Sequence, residues 1–107
     1  MSQQEIVRLT IAELSRRIRS REVSPIEVVN ASLARIDAMD PILNTHITVC
    51  HDEARQAATV AEREILQGNY LGPLHGVPLG LKDIIATNRV RTTCGSNLFA
   101  DWVPDYD

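Results

Sequence analysis

Residues 70–83 read YLGPLHGVPLGLKD: three glycines and two prolines lead into a short apolar run that ends on a charged pair. The Gly-Pro and Gly-Val-Pro steps mark tight turns, and the run they deliver, Val77–Lys82, has the length and apolar character of a strand. If it is extended, Val77, Leu79 and Leu81 point to one face, and Pro78, Gly80 and Lys82 to the other. A second stretch, Thr45–Cys50, alternates in the same way. Thr45, Ile47 and Val49 lie on one side, His46, Thr48 and Cys50 on the other.

Helical patterns flank these two segments. Thr10 followed by Glu13 makes a capping box, with Leu9 placed to staple onto Leu14, and Ile11, Leu14 and Ile18 recur at helical spacing. Ser24, Pro25 and Glu27 start a second helix with the stripe Ile26, Val29, Leu33, Ile36 and Met39, which Pro41 is expected to stop. Arg21–Val23 would turn these two helices into an antiparallel hairpin over residues 10–40. A third helix is expected over about 52–67, ended by Gly68, with Ala54, Ala57, Ala58, Ala61 and Ile65 inward. The order helix, helix, strand, helix, strand, loop predicts an α/β fold, the start of a mixed sheet covered by helices.

The chain has 107 residues, enough for one modest domain. Its closing segment, WVPDYD, is polar and turn-like, so the sequence reads as the N-terminal portion of a larger domain. Ordinary composition, 44% hydrophobic and 23% charged, excludes disordered and fibrous classes. A net charge of −3, with ten arginines interleaved among acids, gives no nucleic-acid signal. No apolar run approaches membrane-spanning length, and the start, MSQQEIVRLT, lacks the apolar stretch expected of a signal peptide. Two cysteines, Cys50 and Cys94, make no disulfide framework, and free thiols in a reducing cytoplasm are expected.

Among eleven fixed cations, Lys82 is the only lysine. Arginine stays protonated in proteins, whereas a lysine withdrawn from water can lose its proton and act as a base. Gly80, two residues back on the same predicted strand face, leaves room for a substrate or a backbone beside the amine. The plainer reading of Lys82 is a solvated charge next to Asp83.

GPLHGVPLGLKD, followed downstream by TTCGS at Thr92–Ser96, resembles the amidase signature family of serine amidohydrolases. LT-x-x-EL at Leu9–Leu14, SPIEVV at Ser24–Val29, LARID at Leu33–Asp37, LNTHITV at Leu43–Val49 and the closing WVPDYD fall in the family's usual order. The resemblance implies a Ser–Ser–Lys triad with Lys82 as the catalytic lysine. Its neutral amine would take a proton, through a bridging serine, from a nucleophilic serine that forms an acyl-enzyme with an amide substrate. Backbone N–H groups of a glycine-rich loop would stabilise the oxyanion. Both serines belong to a Gly/Ser-rich signature that residues 1–107 do not contain, so this chain alone is expected to be inactive. Ser96 is a loop residue in this comparison, not the nucleophile. Gly80, Asp83, Thr93, Gly95 and Ser96 are expected to support the site. Where the family commonly has glycine and often proline before the paired threonines, this chain has Arg89 and Arg91.

Other groupings offer less. His46, Cys50 and His51 fit no strong zinc spacing, and no metal or cofactor is expected. Nothing in the sequence joins Cys94 to His75 as nucleophile and base. Asp83 reads as a cap for the turn after the lysine or as an aid to orienting it, and Thr92 and Thr93 as hydroxyls bonding backbone. The first reading is therefore an amidase acting on a small-molecule amide, alone or as a homo-oligomer. The alternative is the A subunit of a glutamyl/aspartyl-tRNA amidotransferase, implying partner subunits, ATP and glutamine. A reading of another class is a non-catalytic helical interaction module using residues 10–40.

Overall fold

A computed structural model describes residues 1–107, and it is helical, without a sheet. Four α-helices run Gln3–Ile6 (α1), Ile11–Arg19 (α2), Pro25–Leu43 (α3) and His51–Leu66 (α4), followed by one 3₁₀ turn at Asn97–Phe99. None is long and apolar enough to cross a membrane. The chain divides into two compact units: residues 1–43 with 51–78, and residues 44–50 with 79–107.

The helices of the first unit begin where local chemistry dictates. Thr10 Oγ1 accepts the Glu13 N–H at 3.2 Å, while the Glu13 carboxylate accepts the Thr10 N–H at 2.8 Å. Ser24 and Glu27 repeat the exchange at 3.1 and 2.9 Å ahead of α3. Each box satisfies backbone donors that a helix start otherwise leaves bare. A third box, Ser2 with Glu5, opens α1, a short helix absent from the expected elements although these two residues carry the same spacing.

The expected end of α3 needs correction. Pro41 lies inside the helix, which continues to Leu43. A proline two residues from the end removes a single hydrogen bond from a turn about to finish, and Asn44, at φ 52°, performs the termination. Gly68, at φ 89°, closes α4 as the sequence predicts, with the Asn69 N–H reaching back to Glu64 O at 2.9 Å.

Ile6, Leu14, Ile18, Val23, Val28, Ala31 and Ile65 form the core of this unit, with Leu9, Tyr70 and Val77 packed against it. α3 pairs most extensively with α4, and also with α1. Its buried face is consequently wider than one stripe: Val28 and Ala31 are as deeply buried as Val29 and Leu33, while Ile26, Ile36 and Met39 are not fully buried. On α4, Ala58, Ala61 and Ile65 are buried, but Ala57 is exposed.

The α/β expectation fails at both predicted strands. Thr45–Cys50 and Val77–Lys82 join no ladder, and the one β-type pairing is an isolated antiparallel bridge between Thr87 and Val90. The alternation in sequence is real, but an extended segment becomes a strand only when a neighbour takes its N–H and C=O groups. No other segment of these 107 residues offers Val77–Lys82 that edge, and Leu79 is left 80% exposed.

The second unit is held by turns instead. The Arg89 N–H donates to Pro104 O at 2.8 Å, and the Thr92 N–H to Trp102 O at 3.0 Å, so the last residues run back along residues 89–92. Trp102 stacks in tilted geometry with Phe99 (5.7 Å between centroids) and Tyr106 (6.3 Å). Pro104 is fully buried.

Candidate active site

Lys82 is exposed and lies outside any helix or strand at the entry to a turn, its carbonyl accepting the Ile85 N–H at 3.0 Å. Its neighbour Asp83 organises the surroundings. The Thr93 N–H donates to Asp83 Oδ1 at 2.8 Å, and the Thr93 hydroxyl donates to Asp83 Oδ2. The Asp83 carbonyl accepts the Cys94 N–H at 2.8 Å. The lysine-bearing turn and the TTCGS loop are thus fastened through one residue. The Thr93 hydroxyl, then its N–H, stabilise the ionised carboxylate and hold the Asp83 pKa below its ordinary value.

The loop gets its shape from backbone geometry. The Ser96 N–H donates to Thr93 O at 2.9 Å across Cys94 (φ 54°) and Gly95 (φ 66°). Two successive central residues at positive φ define a type I′ turn, natural for glycine and strained for cysteine. The Gly95 N–H donates to Thr93 Oγ1 at 3.2 Å, and Ser96 Oγ accepts the Leu98 N–H at 3.2 Å, capping the 3₁₀ turn. Thr92 and Thr93 are both buried. Thr92 Oγ1 bonds the Val90 carbonyl, the backbone role expected of it, whereas Thr93 turns its hydroxyl to the Asp83 side chain.

Of the sequence-derived site residues, Asp83, Thr93, Gly95 and Ser96 form one continuous bonded set, with Lys82 at its edge. Gly80 is not crowded: a Cβ there would meet nothing within 4 Å. Residues 1–107 leave Lys82 exposed, so they do not themselves supply the water exclusion a neutral amine requires. Arg89 takes φ 64° as the third residue of the turn Thr87–Val90, where the Val90 N–H meets Thr87 O at 3.0 Å. A glycine would adopt that conformation without steric cost. Arg91 sends its Nε–H to Ala100 O.

Trp102 and Pro104, whose carbonyls brace the loop, were not among the expected site residues. A signal was present, since three of the four aromatic residues fall within residues 99–106.

The remaining candidates disperse. His75 belongs to the first unit, where it lies 2.8 Å from Glu64 Oε2, while Cys94 belongs to the second. His51 Nε2 is 2.9 Å from Asp37 Oδ1, and His46 Nδ1 is 2.9 Å from Thr45 Oγ1. No three His, Cys, Asp or Glu side chains converge on a point where an ion could sit.

The profile of the family described as Amidase matches residues 27–107. Over 103 residues, 96% of the chain, the sequence is 48% identical to a protein from Geobacter sulfurreducens named as the A subunit of glutamyl-tRNA(Gln) amidotransferase, and covers 21% of that relative. The same name is carried by relatives from Acidothermus cellulolyticus, 44% identical over 96% of the chain and 20% of the relative, and Dehalococcoides mccartyi, 37% identical over 96% and 21%. The chain therefore spans about a fifth of the length of these curated relatives. No solved structure matches it significantly.

Proposed function

This chain belongs to the amidase family, and on that premise we propose that it is the N-terminal part of an amidotransferase A subunit with Lys82 as general base. The observation that carries the choice is likeness over nearly the whole chain to proteins named as that subunit. It reverses the order given by the motifs alone, which put a free-standing amidase first. Family membership also weighs against a non-catalytic helical module.

In this reading residues 1–107 open one amidase-like domain working in the cytoplasm. A serine outside these residues attacks the side-chain amide carbon of glutamine, a second serine relays its proton, and water later releases the acyl group as glutamate. Lys82, enclosed by the rest of the domain, takes up the nucleophile's proton and returns it as ammonia leaves. Partner subunits use the ammonia and ATP to amidate an aminoacyl-tRNA. Asp83 and Thr93 keep the lysine-bearing turn against the TTCGS loop, so the amine is presented from a fixed backbone.

The test is the full-length gene product, assayed with and without co-expressed partner subunits. We expect glutamine hydrolysis that rises with partners present and falls about 10²–10⁴-fold in Lys82→Ala. Lys82→Arg should be equally inactive, because arginine cannot serve as a base. Turnover of simple carboxamides without glutamine hydrolysis would return the assignment to a free-standing amidase. Activity that survives Lys82→Arg would remove the lysine from the mechanism.

A further inference from the structure

The strap between α4 and residue 78 contains a buried imidazole whose neutral tautomer is set by its neighbours. The His75 side chain is only 8% exposed. Its Nδ1 accepts the Leu71 backbone N–H at 3.1 Å, and its Nε2 lies 2.8 Å from Glu64 Oε2 on α4. An atom that accepts an N–H has no proton of its own, so the ring's single proton must sit on Nε2, which donates to the Glu64 carboxylate.

The strap around this ring is also closed by its own backbone. The His75 N–H donates to Gly72 O at 3.0 Å and the Val77 N–H to Leu74 O at 3.1 Å. Gly76, at φ 84°, seats this turn against Pro25 and Ile18, where an added Cβ would stand 2.7 Å from Pro25 Cγ. Tyr70 lies beside the imidazole, 6.2 Å between ring centroids, with its hydroxyl 2.7 Å from Ser15 Oγ and the Arg19 guanidinium 5.4 Å over its face. The charged or titratable groups facing His75 are therefore Glu64 from α4, Tyr70 from the strap and, across Tyr70, Arg19 from α2.

We propose that His75 is a pH-sensitive latch that fastens residues 71–77 to α4 in its neutral form and releases the Leu71 end when it takes up a second proton. Protonating Nδ1 sets one N–H against another. The Leu71 bond is lost, while the Glu64 contact persists as an ion pair. Release is thus confined to the Leu71 side of the ring, and α4 keeps its partner. The latch involves neither Lys82 nor the TTCGS loop, so it stands independently of the proposed reaction.

The experiment is NMR on the full-length protein ¹⁵N-labelled at histidine and leucine, following the His75 ring nitrogens and the Leu71 amide as pH is lowered. While the ring is neutral we expect a protonated Nε2, a bare Nδ1 and a protected Leu71 amide. On acidification both nitrogens should carry protons, and Leu71 protection should fall about five-fold or more, the scale of one lost hydrogen bond. His75→Asn retains an acceptor near the position of Nδ1 but takes up no proton, so its Leu71 protection should not fall on acidification as it does with histidine. A proton on Nδ1 in the neutral ring would overturn the proposal. So would Leu71 protection that ignores the His75 titration, or loss of protection spread evenly over α4.

Discussion

Gly76 is the residue whose side chain can least be added. Its φ of 84° and the 2.7 Å gap from an added Cβ to Pro25 Cγ act together. The left-handed conformation costs about 1–2 kcal/mol for an L-residue, and the overlap adds about 1–3 kcal/mol. Gly76→Ala should therefore destabilise the first unit by about 2–5 kcal/mol. Gly68→Ala, where φ is 89° but nothing lies within 4 Å, should cost only the conformational share. Urea midpoints of the two variants provide the comparison, and equal losses would show that the Pro25 contact relaxes. Cys94 has the opposite problem, a non-glycine residue at φ 54°. Cys94→Asn should stabilise the chain by up to about 1 kcal/mol, since asparagine tolerates that region better. Its thermal midpoint is the check, and a fall would show that the thiol makes a contact worth more than the strain. The Gly-Val-Pro motif showed that a turn was present, but not that its glycine meets Pro25, a residue far away along the chain.

Elements in this chain are governed by carboxylates that close local circuits. Asp83 joins the lysine-bearing turn to the TTCGS loop, and its pKa is lowered by the Thr93 hydroxyl and N–H. Glu13 is lowered in the same way by the Thr10 backbone and hydroxyl at the start of α2. A carboxylate with a depressed folded pKa binds its proton more readily when unfolded, so its contribution is present above the ordinary carboxylate pKa. It is lost as pH falls from that value through the depressed one. Asp83→Asn should flatten the acid limb of the stability–pH curve and loosen the amides of Thr93 and Cys94, with little change near neutrality in α2. An unchanged acid limb would mean that the clamp holds without charge. Thr10→Ala should cost about 1 kcal/mol through loss of the α2 cap, seen as a lower urea midpoint. Caps were legible because each needs only two residues three apart. The extent of α3's buried face was not, because two other helices define it.

At the scale of the whole molecule, exposed apolar side chains carry the consequence. Leu79, Leu81, Ile84, Ile85 and Leu98 are all about half-exposed or more, and such surface favours association when nothing covers it. We expect the 107-residue chain to self-associate or bind a hydrophobic dye, read by sedimentation velocity across a concentration series and by dye fluorescence. A dye-silent monomer with a sharp unfolding transition would show the exposed side chains to be tolerated as they stand. What the sequence determined by itself is whatever is local: the caps of α2 and α3, the glycine that ends α4, the turns around Gly76, and the motifs that mark the amidase family. Tertiary structure decided whatever requires a second segment. Alternation at Thr45–Cys50 and Val77–Lys82 states a capacity for strand formation, and neither segment joins a ladder, so that capacity yields no sheet. His75 likewise carries no label in the sequence. Its proton is assigned only when the chain brings Leu71 to one nitrogen and Glu64 to the other, because a hydrogen bond exists only between groups that folding has brought together.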